Sequence, residues 1–82
     1  MNWFIRGYED VKRGRVRDYL TPRQARRLYP QQIDTTDTTR YLNGMDDALA
    51  GDPWRYNIQV RRERGEAQQT IYADLYGEGE EM

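Results

Sequence analysis

The chain has 82 residues, 37% of them hydrophobic, no cysteine, no histidine and a net charge of −1. A domain of this size buries only about 60% of its unfolded surface, which leaves room for a homodimer or a partner to supply further burial. The missing residue types exclude disulfides, Cys/His zinc sites, iron–sulfur centres, thiol nucleophiles and Ser-His chemistry, and no metal or cofactor is expected.

Residues 2–8 (NWFIRGY) are aromatic and β-prone and read as a strand, with Trp3 and Ile5 on one face and Phe4 and Tyr8 on the other. A polar loop around Gly14 leads to a second strand over residues 15–20 (RVRDYL), closing an N-terminal hairpin. Residues 21–29 read as a helix. Thr21 is a good N-cap, Pro22 suits the first helical position and Gln24 completes a capping box. Ala25, Leu28 and Tyr29 fall on one side of it and Arg23, Arg26 and Arg27 on the other. Pro30 ends it.

The polar run 31–39 leads to a helix cap at Asp34, Thr36 or Asp37. A helix follows over roughly 37–50, with Tyr41, Leu42, Met45, Ala48 and Leu49 on one stripe and Gly51 as its C-terminal cap. Asn43-Gly44 is also a hairpin signal, so a start near residue 45 is the alternative.

Residues 54–76 carry the strongest pattern. Trp54, Tyr56, Ile58 and Val60 alternate with Arg55, Asn57, Gln59 and Arg61, and Ile71, Ala73 and Leu75 alternate with Thr70, Tyr72, Asp74 and Tyr76. A turn at Arg64-Gly65 pairs the two runs as a hairpin with Ile58 opposite Ile71. The expected fold is a single α+β domain over residues 1–76. It has an antiparallel sheet of about four strands with two short helices on one face, in the order β-β-α-α-β-β. Residues 77–82 (GEGEEM) read as a disordered acidic tail.

Charge is segregated: residues 1–40 sum to +4 and residues 41–82 to −5. Such asymmetry marks a partner or nucleic-acid surface, or two halves that attract each other. Arg outnumbers Lys twelve to one, and the planar guanidinium suits interfaces. No apolar run approaches the roughly 20 residues of a membrane span. Met1 to Ile5 meets Arg6 too soon for a secretory leader, so the cytoplasm is the expected compartment.

No catalytic group is expected. Asp46 and Asp47 are helix neighbours pointing about 100° apart, without a third carboxylate, and read as a solvated face. Two surfaces are candidates for binding. One is the Arg23, Arg26 and Arg27 face, which could grip phosphates or acidic protein groups or simply be solvated. The other is the open sheet face of Arg55, Asn57, Tyr72 and Tyr76, extended by Phe4, Arg6, Tyr8, Arg15, Arg17 and Tyr19. Its interleaved Arg and aromatic groups suit bases or a protein hot spot.

The sequence therefore reads as a small non-enzymatic binding protein. Its class would be the accessory proteins of phages and mobile elements, which inhibit or redirect a host protein or nucleoprotein machine by occupying a surface. An anti-CRISPR or other anti-defence inhibitor is one instance. The alternative is a small nucleic-acid-binding regulator using the Arg helix or the sheet face, although the RNA-recognition signature is missing.

Overall fold

A computed structural model describes residues 1–30 and 33–76. It contains α1 (Trp3–Lys12), α2 (Pro22–Leu28), α3 (Thr35–Ala50), α4 (Trp54–Glu63) and α5 (Gln68–Tyr76), and no strand among the described residues. The expected α+β sheet is thus corrected to an all-helical bundle. Both expected hairpins are absent: residues 2–8 fall within or beside α1, residues 15–20 are irregular, and the two C-terminal runs are α4 and α5. The tail expected at residues 77–82 lies outside the described residues.

α1 forms because Asn2 caps it, its Oδ1 accepting the Ile5 N–H at 3.1 Å. Trp3, Phe4, Gly7 and Tyr8 then bury one helical face. The two apolar parities that suggested a doubly buried strand are the i, i+1, i+4 positions of this stripe.

α1 and α3 are the central pair, crossing at Gly7 and Gly44. A Cβ on Gly7 would collide with the Tyr41 carbonyl, and a Cβ on Gly44 would collide with the Phe4 carbonyl. The backbones therefore approach as closely as only glycine permits. This is why α3 runs unbroken through Asn43-Gly44 instead of turning there. α3 starts at the Asp34 cap, whose side chain accepts the Asp37 N–H at 2.8 Å, and ends at Gly51.

α2 leans on α3, α4 packs on α1 and α3, and α5 packs on α4. Trp3, Ala25, Tyr29 and Tyr41 make a core cluster bordered by Ile33 and Leu42. Trp3 meets Tyr29 and Tyr41 edge-on at 5.1 and 6.4 Å between ring centroids, a favoured aromatic geometry.

The misread turns share one device. Gly14 and Gly65 have φ of 80° and 86°. At each, the glycine N–H bonds the carbonyl three residues back and the next N–H bonds the carbonyl five back, which is the Schellman ending of a helix. The residues bracketing each ending also carry opposite charges: Asp10 with Arg15 at 3.9 Å, and Arg61 with Glu66 at 2.6 Å. The ERGE segment is therefore a helix stop followed by α5, not a hairpin turn.

α4 was misread because its apolar groups, Trp54, Tyr56, Ile58 and Val60, fall on alternate positions. Tyr56 stacks on Tyr8 of α1 at 4.0 Å, Gln59 accepts from Asn2, and Ile58 is buried. One face therefore packs while Trp54, Arg55, Asn57, Arg62 and Glu63 stay exposed, as in an ordinary surface helix.

The crossing gives a direct stability test. Ala is the better helix former by about 1 kcal/mol, yet Gly44→Ala should destabilise the fold by about 2 kcal/mol or more, because overpacking exceeds propensity. Denaturant melts of wild type and variant measure this. A stabilised Gly44→Ala protein would contradict the observed crossing.

Candidate functional site: an arginine surface built on a buried aspartate

Asp10 is fully buried and holds together the region that carries the predicted arginines. Its backbone carbonyl accepts the Arg15 and Val16 N–H groups at 2.9 and 3.2 Å, folding the loop after α1 back on itself. Its Oδ2 accepts the Tyr29 and Tyr41 hydroxyls, both at 2.7 Å. Its Oδ1 faces Arg6 Nε at 3.4 Å and Arg15 Nη1 at 3.9 Å. A buried carboxylate is tolerated only when paired and hydrogen-bonded, and both conditions hold here.

The network ties α2 to the bundle. Tyr29 ends α2, donates to Asp10 and accepts from Arg6 Nε at 2.8 Å. Burial, then the Asp10 bond, raises the Tyr29 pKa above the usual phenol value. The same causes in the same order raise that of Tyr41 further. The hydrogen bond to Tyr29 raises the Arg6 pKa, against the smaller opposing effect of burial.

The predicted site residues divide into three groups. Arg23, Arg26 and Arg27 project from α2 with Arg17 in the loop before it. All four are exposed and have no side-chain partner among the described residues. Arg6 and Arg15 converge on Asp10 and Tyr29. Arg55 lies apart from both. It grips Asp47 with a two-bond fork of 2.8 and 2.6 Å, and its guanidinium sits 5.3 Å from the Phe4 ring centre. Tyr72 belongs to α5, and its side chain is outside the described detail. The expected sheet face joining these residues does not form, since Phe4 and Tyr8 are core residues.

α2 forms as its sequence predicts. Thr21 Oγ1 accepts the Gln24 N–H and Gln24 Oε1 accepts the Thr21 N–H. One expectation changes: Ala25 and Tyr29 dock the helix, while Leu28 is 42% exposed beside the arginines. Tyr19, 60% exposed, is the other large apolar group in this stretch of chain. Arg26 and Arg27 stand in the last turn, where the helix dipole favours cations. Arg23 stands in the first turn, where it does not, so the helix itself gives no reason for Arg23.

The other clusters are structural. Asp47 is buried and committed to Arg55, so the pair Asp46-Asp47 is not the solvated face expected. No group of three or more acidic residues among the described residues could hold a metal ion. No helix among them is long and apolar enough to cross a membrane. A groove of about 380 Å³ lies where the start of α1 meets α3 and α4, lined by Asn2, Phe4, Arg40, Asn43, Gln59 and Glu63, and Phe4 is the one residue of the two predicted binding surfaces in it.

Sequence reasoning missed Asp10, reading it as loop. Two signals pointed to it: the i, i+4 pairing with Arg6, and the opposite charge of Arg15 across Gly14. The fold and the surface together define a small helical-bundle protein whose α2 arginines are unpaired among the described residues. No protein-family model, curated protein or solved structure matches the chain.

The tyrosine network makes alkaline stability diagnostic. A phenol with a raised folded-state pKa stabilises the fold fully below the unfolded value near 10, and that stability is lost as pH climbs above it. The melting temperature should fall above about pH 10, and less steeply in Tyr41→Phe. Absorbance at 295 nm should show the buried phenols ionising only as the protein unfolds. Reversible ionisation of every tyrosine near pH 10 in the folded protein would refute the network.

Proposed function

We propose that this is a small, non-enzymatic binding protein that docks the α2 arginine face on an acidic surface of a larger protein machine. It belongs, in this reading, with the cytoplasmic accessory proteins of phages and mobile elements that inhibit or redirect a host machine, anti-defence inhibitors among them. The observation that carries the reading is the group Arg17, Arg23, Arg26 and Arg27, exposed and unpaired among the described residues, while Arg6, Arg15, Arg55 and Arg61 each face a carboxylate. Unpaired guanidiniums in one short stretch repel each other slightly, and matching acidic groups turn that repulsion into affinity and a faster on-rate. The exposed Leu28 favours protein over nucleic acid, because apolar area gains by burial against a protein whereas phosphates gain nothing from a leucine; Tyr19 suits either partner. The net charge of −1 also gives no long-range attraction to a polyanion.

The test is the combined variant Arg23→Glu, Arg26→Glu and Arg27→Glu. Two new carboxylates at the C-terminal end of α2 oppose the dipole, so stability should fall, but by less than about 1 kcal/mol. Partner binding should weaken by at least about 2 kcal/mol. Quantitative capture from nuclease-treated host lysate, wild type against variant, measures the second number, and thermal melts the first. Equal capture by the folded variant would refute the reading. Capture that disappears with nuclease and falls steeply with salt would replace it with nucleic-acid binding.

A further inference from the structure

We propose that Arg6 and Arg15 form a seat for one oxyanion, filled in the bound state by a carboxylate of the protein partner. The seat rests on the reading of α2 as the docking face.

Two guanidiniums share one carboxylate here, since Arg6 and Arg15 both face Asp10 Oδ1. One positive charge is left over, at a place where 28% of the Arg6 side chain and 50% of the Arg15 side chain meet solvent. Among the described residues the donors are mostly unused as well. A guanidinium offers five N–H groups. Arg6 spends its Nε–H on the Tyr29 hydroxyl, and Arg15, at 3.9 Å, is beyond hydrogen-bond reach of Asp10. The Tyr29 ring holds the two heads near each other, its centre 5.2 Å from the Arg6 guanidinium and 5.8 Å from that of Arg15.

Asp10 fixes the pair from the protein side and makes no hydrogen bond to either head through Oδ1. An oxyanion arriving from solvent therefore meets N–H edges that Asp10 does not occupy. It converts a two-to-one cluster into a balanced two-to-two cluster. Carboxylates and phosphates, whose oxygens match the guanidinium fork, fit this seat. Tyr29 ends α2, so the seat adjoins the turn that carries Arg26 and Arg27.

Inorganic phosphate and acetate are the probes, titrated into the whole protein at constant ionic strength while the arginine Nε–H resonances are followed. Arg64, exposed and without a side-chain partner among the described residues, is the internal reference. Arg6 and Arg15 should saturate together, at about tenfold lower anion concentration than Arg64. Acetate should move the same two resonances as phosphate. Arg15→Gln, a change at a half-exposed side chain, should abolish saturation at Arg6. Reversal of Arg23, Arg26 and Arg27 should preserve it. A response no stronger than that of Arg64, or saturation at Arg6 that survives Arg15→Gln, would overturn the seat. Neither result would touch the docking face, which is judged by partner capture. A response to phosphate alone would overturn the carboxylate assignment.

Discussion

The structure depends on one buried charge. Taking a carboxylate out of water costs several kcal/mol unless its partners replace the lost hydration. Asp10 recruits them from every part of the N-terminal half: Arg6 from its own helix, Arg15 from the loop, Tyr29 from the end of α2 and Tyr41 from α3. None of these contacts is strong alone: a typical protein hydrogen bond, such as each tyrosine donates, contributes about 1 kcal/mol net, and the two arginines pair without one. Together they make the approach of α2 and the loop to the α1–α3 pair a condition for burying Asp10. The charge specifies the arrangement more than it stabilises it.

The surface follows from that arrangement. α2 has seven residues, too few to be stable as an isolated helix in water. Its capping box and its two docking residues, Ala25 and Tyr29, set its position, and its remaining side chains face outward. The exposure of Arg23, Arg26 and Arg27 is thus a consequence of how Tyr29 is held. The Gly7–Gly44 crossing supports this from below by drawing α1 and α3 close enough for Tyr41 to reach Asp10.

Much of the middle of the chain was legible in the sequence. Thr21, Pro22 and Gln24 announced α2, and Asp34, one of three candidate caps, and Gly51 bracket α3, because caps are local chemistry and do not wait for tertiary structure. The exposed arginine face of α2 was legible for the same reason. The two ends were misread for physical causes. α1 places its apolar groups at adjacent positions and α4 places them at alternate ones, and both patterns also suit a strand. Gly14 and Gly65 were read as turns between strands when they end helices. The ion pair across each, Asp10 with Arg15 and Arg61 with Glu66, was the signal that distinguished the two. Asp10 itself was passed over because, despite the nearby Arg6 and Arg15, an acid among Glu9, Lys12 and Arg13 looks like surface until Tyr41, 31 residues away, is in place.

Amide hydrogen exchange in Tyr29→Phe tests the central claim most directly, since the change removes only the hydroxyl that joins α2 to Asp10 and Arg6. Exchange of the α2 amides around Ala25 should accelerate about tenfold, while the α3 amides around Tyr41 and Met45 keep their protection. Unchanged protection in α2 would contradict the account. Equal loss of protection across α1, α2 and α3 would contradict it too, because the tie would then be global rather than the fastening of one helix.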